Sequence, residues 1–340
     1  MPSYPTRRLG RDGPLVSAIG FGAMRLGGFN GPGPIENVTP EEEANALFTY
    51  AADRGVTFWD TSIVYGESER LIGDWFAKTG RRSEIFLATK FMKTPRDTSY
   101  PPGNPGYIHE QVEKSLQNLK TDYIDLYYQH RVDPTVPIEV VLEKLRPYVE
   151  SGKIKYLGLS ACSIDHLRRA RAVPGIGEKV SPVTQEILTE GFVAAARELG
   201  VSIVAYSPLG GGFKSRHDFP PTDIRFHIPR MSDENFPKNF ELVDRFRAVA
   251  EKYGVSTGQL TLAWIIAENP DFVPIPGSRT IARLEENAKA GEIPLALEDV
   301  RALRAVVDTV DVKGALYPEE MMKLVASDSI PLSEYKGERA

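Results

Sequence analysis

Short apolar runs alternate with amphipathic stretches along most of this chain, and the alternation sets the order of its elements. Runs with β character are Ser17 to Gly20, Thr57 to Asp60, Ile85 to Lys90, Tyr123 to His130, Ile154 to Ser160, Val180 to Thr184, Ser202 to Tyr206 and Asp271 to Ile275. Between them lie helical patterns over Pro40 to Arg54, Ser68 to Lys78, Tyr107 to Leu119, Ile138 to Glu150, Asp165 to Arg171 and Ile187 to Leu199. Strand, helix, strand repetition of this kind predicts a parallel sheet wrapped by helices. Eight strands predict closure into an α/β barrel of the (β/α)8 (TIM) type. After the seventh strand comes an irregular stretch, Gly210 to Asn239, then two helical patterns, Phe240 to Tyr253 and Ser256 to Ala267. One of these is extra to the barrel repeat, and Leu297 to Val307 is a further helix before a Pro-containing tail. At the front, Arg8 to Val16 reads as a hairpin turning at Asp12-Gly13, placed to plug the barrel bottom. No linker or composition shift divides residues 1–340, so one domain is expected.

Composition narrows the class without naming a function. Hydrophobic residues make up 41% and charged residues 26% of the 340, ordinary for a globular protein. A formal charge of −5 argues against a general nucleic-acid surface, which needs a basic stripe. Cys162 is the only cysteine, so neither an internal disulfide nor a cysteine-built metal site can form. His109, His166, His217 and His227 lack metal-ligand spacing, and no metal is expected. The N-terminus has no apolar signal core and no stretch approaches a membrane span; a cytoplasmic protein with small-molecule partners is the expectation.

Chemistry concentrates at the strand ends. Asp60 closes the second strand with Tyr65 just beyond it, Lys90 ends the third, and His130 ends the fourth. All strand C-termini of a parallel barrel open on one face, so an acid, a phenol, a cation and an imidazole are brought to one place. The Pro-rich stretches Gly31 to Pro40 and Thr94 to Pro105 read as loops shaping the mouth of that face.

Six motifs in order then carry a family likeness: Gly20-Phe21-Gly22-Ala23-Met24, Phe58-Trp59-Asp60-Thr61-Ser62 with Tyr65-Gly66, Ala88-Thr89-Lys90-Phe91, Gln129-His130-Arg131-Val132-Asp133-Pro134, Ala205-Tyr206-Ser207-Pro208-Leu209-Gly210 and Pro274-Ile275-Pro276-Gly277-Ser278. Over nearly its whole length the chain resembles the aldo-keto reductase superfamily, nearest its pyridoxal-reductase-like microbial branch. The resemblance implies hydride transfer between NADPH/NADP+ and an aldehyde or ketone, or the reverse oxidation of an alcohol. The residues suit that chemistry. Carbonyl reduction needs a proton donor for the developing alkoxide, and an ordinary tyrosine with pKa ~10 is a sluggish acid at neutral pH. Lys90 is expected to tune Tyr65, Asp60 to hold Lys90 charged, and a neutral His130 to position the substrate oxygen.

No Rossmann fingerprint is present: Gly20 and Gly22 lack the βαβ spacing. The resemblance implies another cofactor site. Ser278 and Arg279, at the start of a helix carrying Arg283, Glu286 and Asn287, would hold the 2′-phosphate and adenine. Tyr206 would stack on the nicotinamide, Ser207 and Leu209 would approach the pyrophosphate, and Ser160 would meet the carboxamide. Gly22 and Ala23 complete this set, and Met24, Trp59 and Phe91 are expected to line the substrate pocket. The chain departs from the pattern in four places, one of them a shortened pyrophosphate loop after Gly212. Ala161 stands where Asn or Glu is usual, and Gly211 replaces a common Arg. The segment after Val180 is shortened, leaving Gln185 as the candidate replacement for a carboxamide-gripping Gln. That shortening supports an alternative, a non-enzymatic or regulatory barrel of this family that binds a protein partner. A barrel aldolase using Lys90 as a Schiff base is disfavoured because Asp60 should keep that amine protonated.

Overall fold

The computed structural model describes residues 3–28, 37–93, 99–184, 191–210, 224–322, 325 and 327–337. Strands β1 (Thr6–Arg8) and β2 (Leu15–Ser17) form an antiparallel hairpin. Eight parallel strands follow: β3 (Phe21–Gly22), β4 (Phe58–Asp60), β5 (Phe86–Phe91), β6 (Ile124–Gln129), β7 (Ile154–Ser160), β8 (Val180–Thr184), β9 (Ser202–Ala205) and β10 (Phe272–Pro274). They pair in sequence order, and the first and last meet through the Gly22–Gly277 bridge and the hydrogen bonds from Gly20 N to Pro274 O and Gly22 N to Pro276 O. The sheet is therefore a closed barrel, as the strand count predicted. Glycine is required at this seam: a Cβ on Gly22 would sit 2.8 Å from the Ile275 carbonyl oxygen.

Side-chain alternation divides the strands into two layers. Phe58, Ala88, Leu126, Tyr128, Val204 and Val273 fill the barrel, and Leu9 and Val16 of the hairpin close its bottom. The plug is pinned by Arg7, which donates to the carbonyls of Asn269 and Ile266, and by the Ser181 hydroxyl on Leu9 O. Outward-facing residues pack on helices α1 (Glu41–Arg54), α2 (Ser68–Thr79), α3 (Tyr107–Leu119), α4 (Ile138–Glu150), α5 (Ile164–Arg171) and α6 (Phe192–Glu198). Beyond them come α7 (Phe236–Tyr253), α8 (Thr257–Glu268), α9 (Ile281–Lys289), α10 (Leu297–Thr309) and the short α11 (Glu319–Met322). Helix α8 completes the barrel wall through Leu262 and Ile266, while α7 and α10 pack against its other side around Phe246, Trp264 and Leu303. The extra helix is thus α7.

Two expected boundaries are corrected. Ser17 to Gly20 is not the first barrel strand: Ser17 ends the hairpin, and the barrel strand begins at Phe21. Helix α7 begins at Phe236 instead of Phe240, because Pro237 falls in its first turn, where a missing N–H costs nothing. The early part of the Ile187 to Leu199 helix lies outside the described residues, as does residues 211–223 of the irregular stretch.

Candidate active site

Asp60, Lys90 and His130 point into the barrel because each lies an even number of residues from an interior position, Phe58, Ala88 and Tyr128 respectively. Lys90 Nζ donates to Asp60 Oδ1 and, at 2.8 Å, to the Thr61 carbonyl. Both side chains are about 4% exposed, so the pair is shielded from water and unscreened by salt. Burial pushes the Asp60 carboxyl up and the Lys90 ammonium down, and each charge pulls the other back. Tyr65 reaches the same point from the loop after β4: its Oη is 3.3 Å from His130 Nε2, and Lys90 Nζ lies 5.2 Å from its ring centroid. On the other side of the imidazole, Ser62 Oγ is 3.0 Å from Nδ1. Burial, then the charges of Arg131 and Lys90, hold the imidazole pKa well below its usual value, so His130 is neutral at physiological pH.

One expectation about tuning changes. The Tyr65 phenol is pushed up, chiefly by burial and further by the Asp60 charge; the cation that opposes this is Arg131. With its charge balanced by Asp60, Lys90 is a poor source of net positive potential at the phenol. Arg131, the residue after His130, donates through Nη1 to the His130 carbonyl at 2.7 Å and to Ser160 Oγ at 3.3 Å. Sequence reasoning missed it, together with Ser62 and Glu69. Glu69, buried on α2, accepts from the Thr89 hydroxyl at 2.7 Å and the Asn118 amide at 3.0 Å, tying β5 next to Lys90.

The wall residues divide. Met24, half-buried, opens the turn after β3 on the catalytic face. Trp59 and Phe91 do not face the mouth. Each neighbours an inward residue and so points outward: Trp59 stacks between Phe48, Trp75 and Phe76, and Phe91 on Tyr127 at 5.1 Å. Both are removed from the substrate pocket. Tyr317 of the tail comes near enough to the Tyr65 phenol to act on it electrostatically. Residues 327–330 cross the same face, bridging Cys162 and accepting from Arg169. Cys162 itself is fully buried, its thiol pushed up to about 12, and carries no nucleophilic chemistry.

On the far side of the mouth, Ser278 is buried and accepts from the Asn287 amide at 3.0 Å. Arg279 and Arg283 are exposed at the start of α9; Arg283 pairs with Glu286, which also accepts from Ser256 Oγ at 2.7 Å. Tyr206 packs at the top of the barrel interior, with Ser207 in the left-handed region at φ 48° and Leu209 against the outer core. Gly22 and Ala23 are buried at the β3 end, where the Ala23 N–H is already bonded to the Asp60 carbonyl. Gln185 lies outside the described residues.

Comparison with known proteins identifies the family. The sequence profile of the Aldo/keto reductase family matches residues 18–308. The chain belongs to the aldo/keto reductase family. It is 43% identical to aldo-keto reductase str7 of Strobilurus tenacellus, over 96% of this chain and 99% of that protein. It is likewise 43% identical to aldo-keto reductase yakc [NADP(+)] of Schizosaccharomyces pombe, over 97% of this chain and 99% of the relative. Among solved structures, the thermostable aldo-keto reductase Tm1743 in complex with the inhibitor epalrestat superposes with a TM-score of 0.71 at 28% identity, covering 89% of this chain and 99% of its own. An aldo/keto reductase from Klebsiella pneumoniae in complex with NADP and acetate shares the fold, with a TM-score of 0.68 at 23% identity over 93% of this chain and 99% of its own. As a member of this family the chain is an oxidoreductase of carbonyl compounds. No helix among its described residues is long and apolar enough to cross a membrane.

Proposed function

We propose that the protein is an NADPH-dependent reductase of aldehydes or ketones in which Tyr65 delivers the proton. The observation that carries this reading is the contact of Tyr65 Oη with a neutral His130 above the buried Asp60–Lys90 pair. A carbonyl oxygen placed between Tyr65 and His130 meets an O–H and, when Ser62 donates to Nδ1, an Nε2–H. These two donors are fixed before reaction by Ser62 and the strand ends, so they stabilise developing negative charge without reorganising. Tyr65 then passes its proton to the oxygen; Arg131 supplies the positive potential that eases phenolate formation, with the Asp60–Lys90 pair held beneath the phenol ring.

The cofactor reading is supported by the donor set at the start of α9. Two exposed guanidinium groups, Arg279 and Arg283, suit a phosphate monoester such as the 2′-phosphate, and Gly277 beside them is open: a Cβ there would meet only the Gly22 carbonyl, at 3.8 Å. By family likeness Ser160, Tyr206, Ser207, Leu209, Ser278, Glu286 and Asn287, with Gly22 and Ala23, take the remaining contacts. The related yakc protein carries NADP(+) in its name, which supports the same choice. Bound NADPH supplies the hydride. A Tyr65→Phe variant tests the assignment: carbonyl turnover, followed by loss of NADPH absorbance, should fall by about a hundredfold or more, while NADPH affinity read by fluorescence stays within a few fold. Turnover that survives the substitution would assign the proton to another group. Failure of the wild-type chain to bind NADPH would favour the regulatory barrel.

A further inference from the structure

Arg131 occupies an unusual position for a cation. It follows the catalytic imidazole directly, is half-buried, and its Nη1 is fixed by the His130 carbonyl and Ser160 Oγ. Its other edge, Nε and Nη2, donates to none of the described residues, and no carboxylate among them forms an ion pair with it. Several other half-buried arginines are paired or sit away from the catalytic face: Arg82 is paired with Asp125, Arg54 with Glu285 and Arg169 with Glu139, while Arg7 and Arg171 are held by main-chain carbonyls away from the strand C-termini. An unpaired guanidinium held at a site mouth with its Nε/Nη2 edge open is the fork that accepts a carboxylate through two parallel hydrogen bonds.

Resting on the reductase reading above, we propose that Arg131 is a substrate-specificity residue that selects carbonyl compounds bearing a carboxylate group. The carbonyl oxygen sits between Tyr65 and His130, and the carboxylate lies beside it on the open edge of Arg131. Three observations agree. The guanidinium is anchored on the main chain of His130 itself, so its distance from the oxyanion site is set by the fold and not by a mobile loop. Its charge acts on both Tyr65 and His130, the two groups that would hold the carbonyl oxygen. The Asp60–Lys90 pair is neutral as a unit, so Arg131 supplies an uncompensated positive charge in the pocket.

The test compares two aldehydes of matched shape, para-carboxybenzaldehyde and para-carbamoylbenzaldehyde, with the full-length protein and NADPH at about pH 7, where the carboxylate is ionised. The expected result is a kcat/KM about tenfold or more higher for the carboxylate, carried mainly by KM and reduced by added salt. In Arg131→Met the ratio of the two kcat/KM values should collapse toward one, and Arg131→Lys should retain part of it, having charge without the fork. A ratio that Arg131→Met leaves as it was overturns the proposal. So does a parallel loss on both aldehydes with weakened NADPH fluorescence binding, which would assign Arg131 to the cofactor through Ser160. If the wild type binds NADPH but turns over neither aldehyde, the reductase reading fails and the inference fails with it; turnover of both without preference sinks the inference alone.

Discussion

Asp60 and Lys90 show how tightly a single pair can couple stability to chemistry. Their charges are nearly unexposed, and Asp60 Oδ2 has no partner among the described residues, so all compensation for the buried carboxylate runs through Lys90 and the Thr61 carbonyl that shares its ammonium. Removing one member leaves an uncompensated buried charge, which costs about 3–5 kcal/mol, whereas removing both leaves none. Asp60→Asn and Lys90→Met should therefore each lower the urea midpoint strongly, while the double variant should be more stable than the sum of the single losses by about 2 kcal/mol. Additive losses would mean that the two groups do not compensate each other in the fold. At this scale the inward residues were legible because strand ends and side-chain parity placed Asp60, Lys90 and His130. The same parity excludes Trp59 and Phe91 from the pocket: adjacent strand residues cannot share a face, and nearness in sequence to the catalytic groups misled. Ser62, Glu69 and Arg131 were not legible, since only the path of a loop decides whether a serine meets an imidazole, a helix-start glutamate meets a threonine, or an arginine turns toward the mouth.

The turn after β3 positions the loop that carries Tyr65. Gly27 O accepts from Glu67 N at 3.1 Å, and a Cβ on Gly27 would lie 1.8 Å from the Tyr65 carbonyl oxygen and 2.6 Å from Ser68 N. Backbone cannot yield as a side-chain tip can, so Gly27→Ala must push the Tyr65 loop away from His130. A displacement near 1 Å at a catalytic group costs roughly a hundredfold in rate, and the overpacking itself about 1–3 kcal/mol. The comparison is Gly80→Ala at the α2 C-cap, where φ is 68° but nothing lies within 4 Å of the added methyl. It should cost about 1 kcal/mol from backbone strain with kcat little altered. Equal activity losses in the two variants would separate Tyr65 placement from the Gly27 contact. Elements were the most readable level of this chain: β7, β8, α3 and α4 have the predicted limits. The boundary between hairpin and first barrel strand was set too early, at Ser17, because Ser17 to Ile19 continue the apolar or small pattern of Leu15-Val16; the barrel strand begins only at Phe21.

For the molecule as a whole, the tail links the barrel's catalytic face to its acid stability through His166. This side chain on α5 is fully buried, 3.4 Å from Gln129 Oε1 beside His130 and 3.9 Å from Asp328 of the tail, with Arg169, Glu139 and Asp165 around it. Burial, then the Arg169 charge, lowers its pKa to about 4. The sign follows from proton counting. Below about 6.5 the unfolded chain binds a proton that the native imidazole refuses until about 4, so His166 loses stability progressively as pH falls through that window. The slope is about 1.4 kcal/mol per pH unit and the total about 3 kcal/mol. His130, depressed in the same direction, adds to it. Glu69 acts oppositely: its raised pKa means the native state takes up a proton first, and acidification through that range restores stability. Comparing urea unfolding of the wild type with His166→Gln between pH 7 and pH 4 isolates the histidine, because Glu69 and His130 are common to both. The variant should be the less acid-sensitive of the two, with the difference growing steadily below about pH 6.5. Parallel pH profiles would place the acid sensitivity elsewhere, and a profile steeper in the variant would reverse the sign assigned to the buried imidazole.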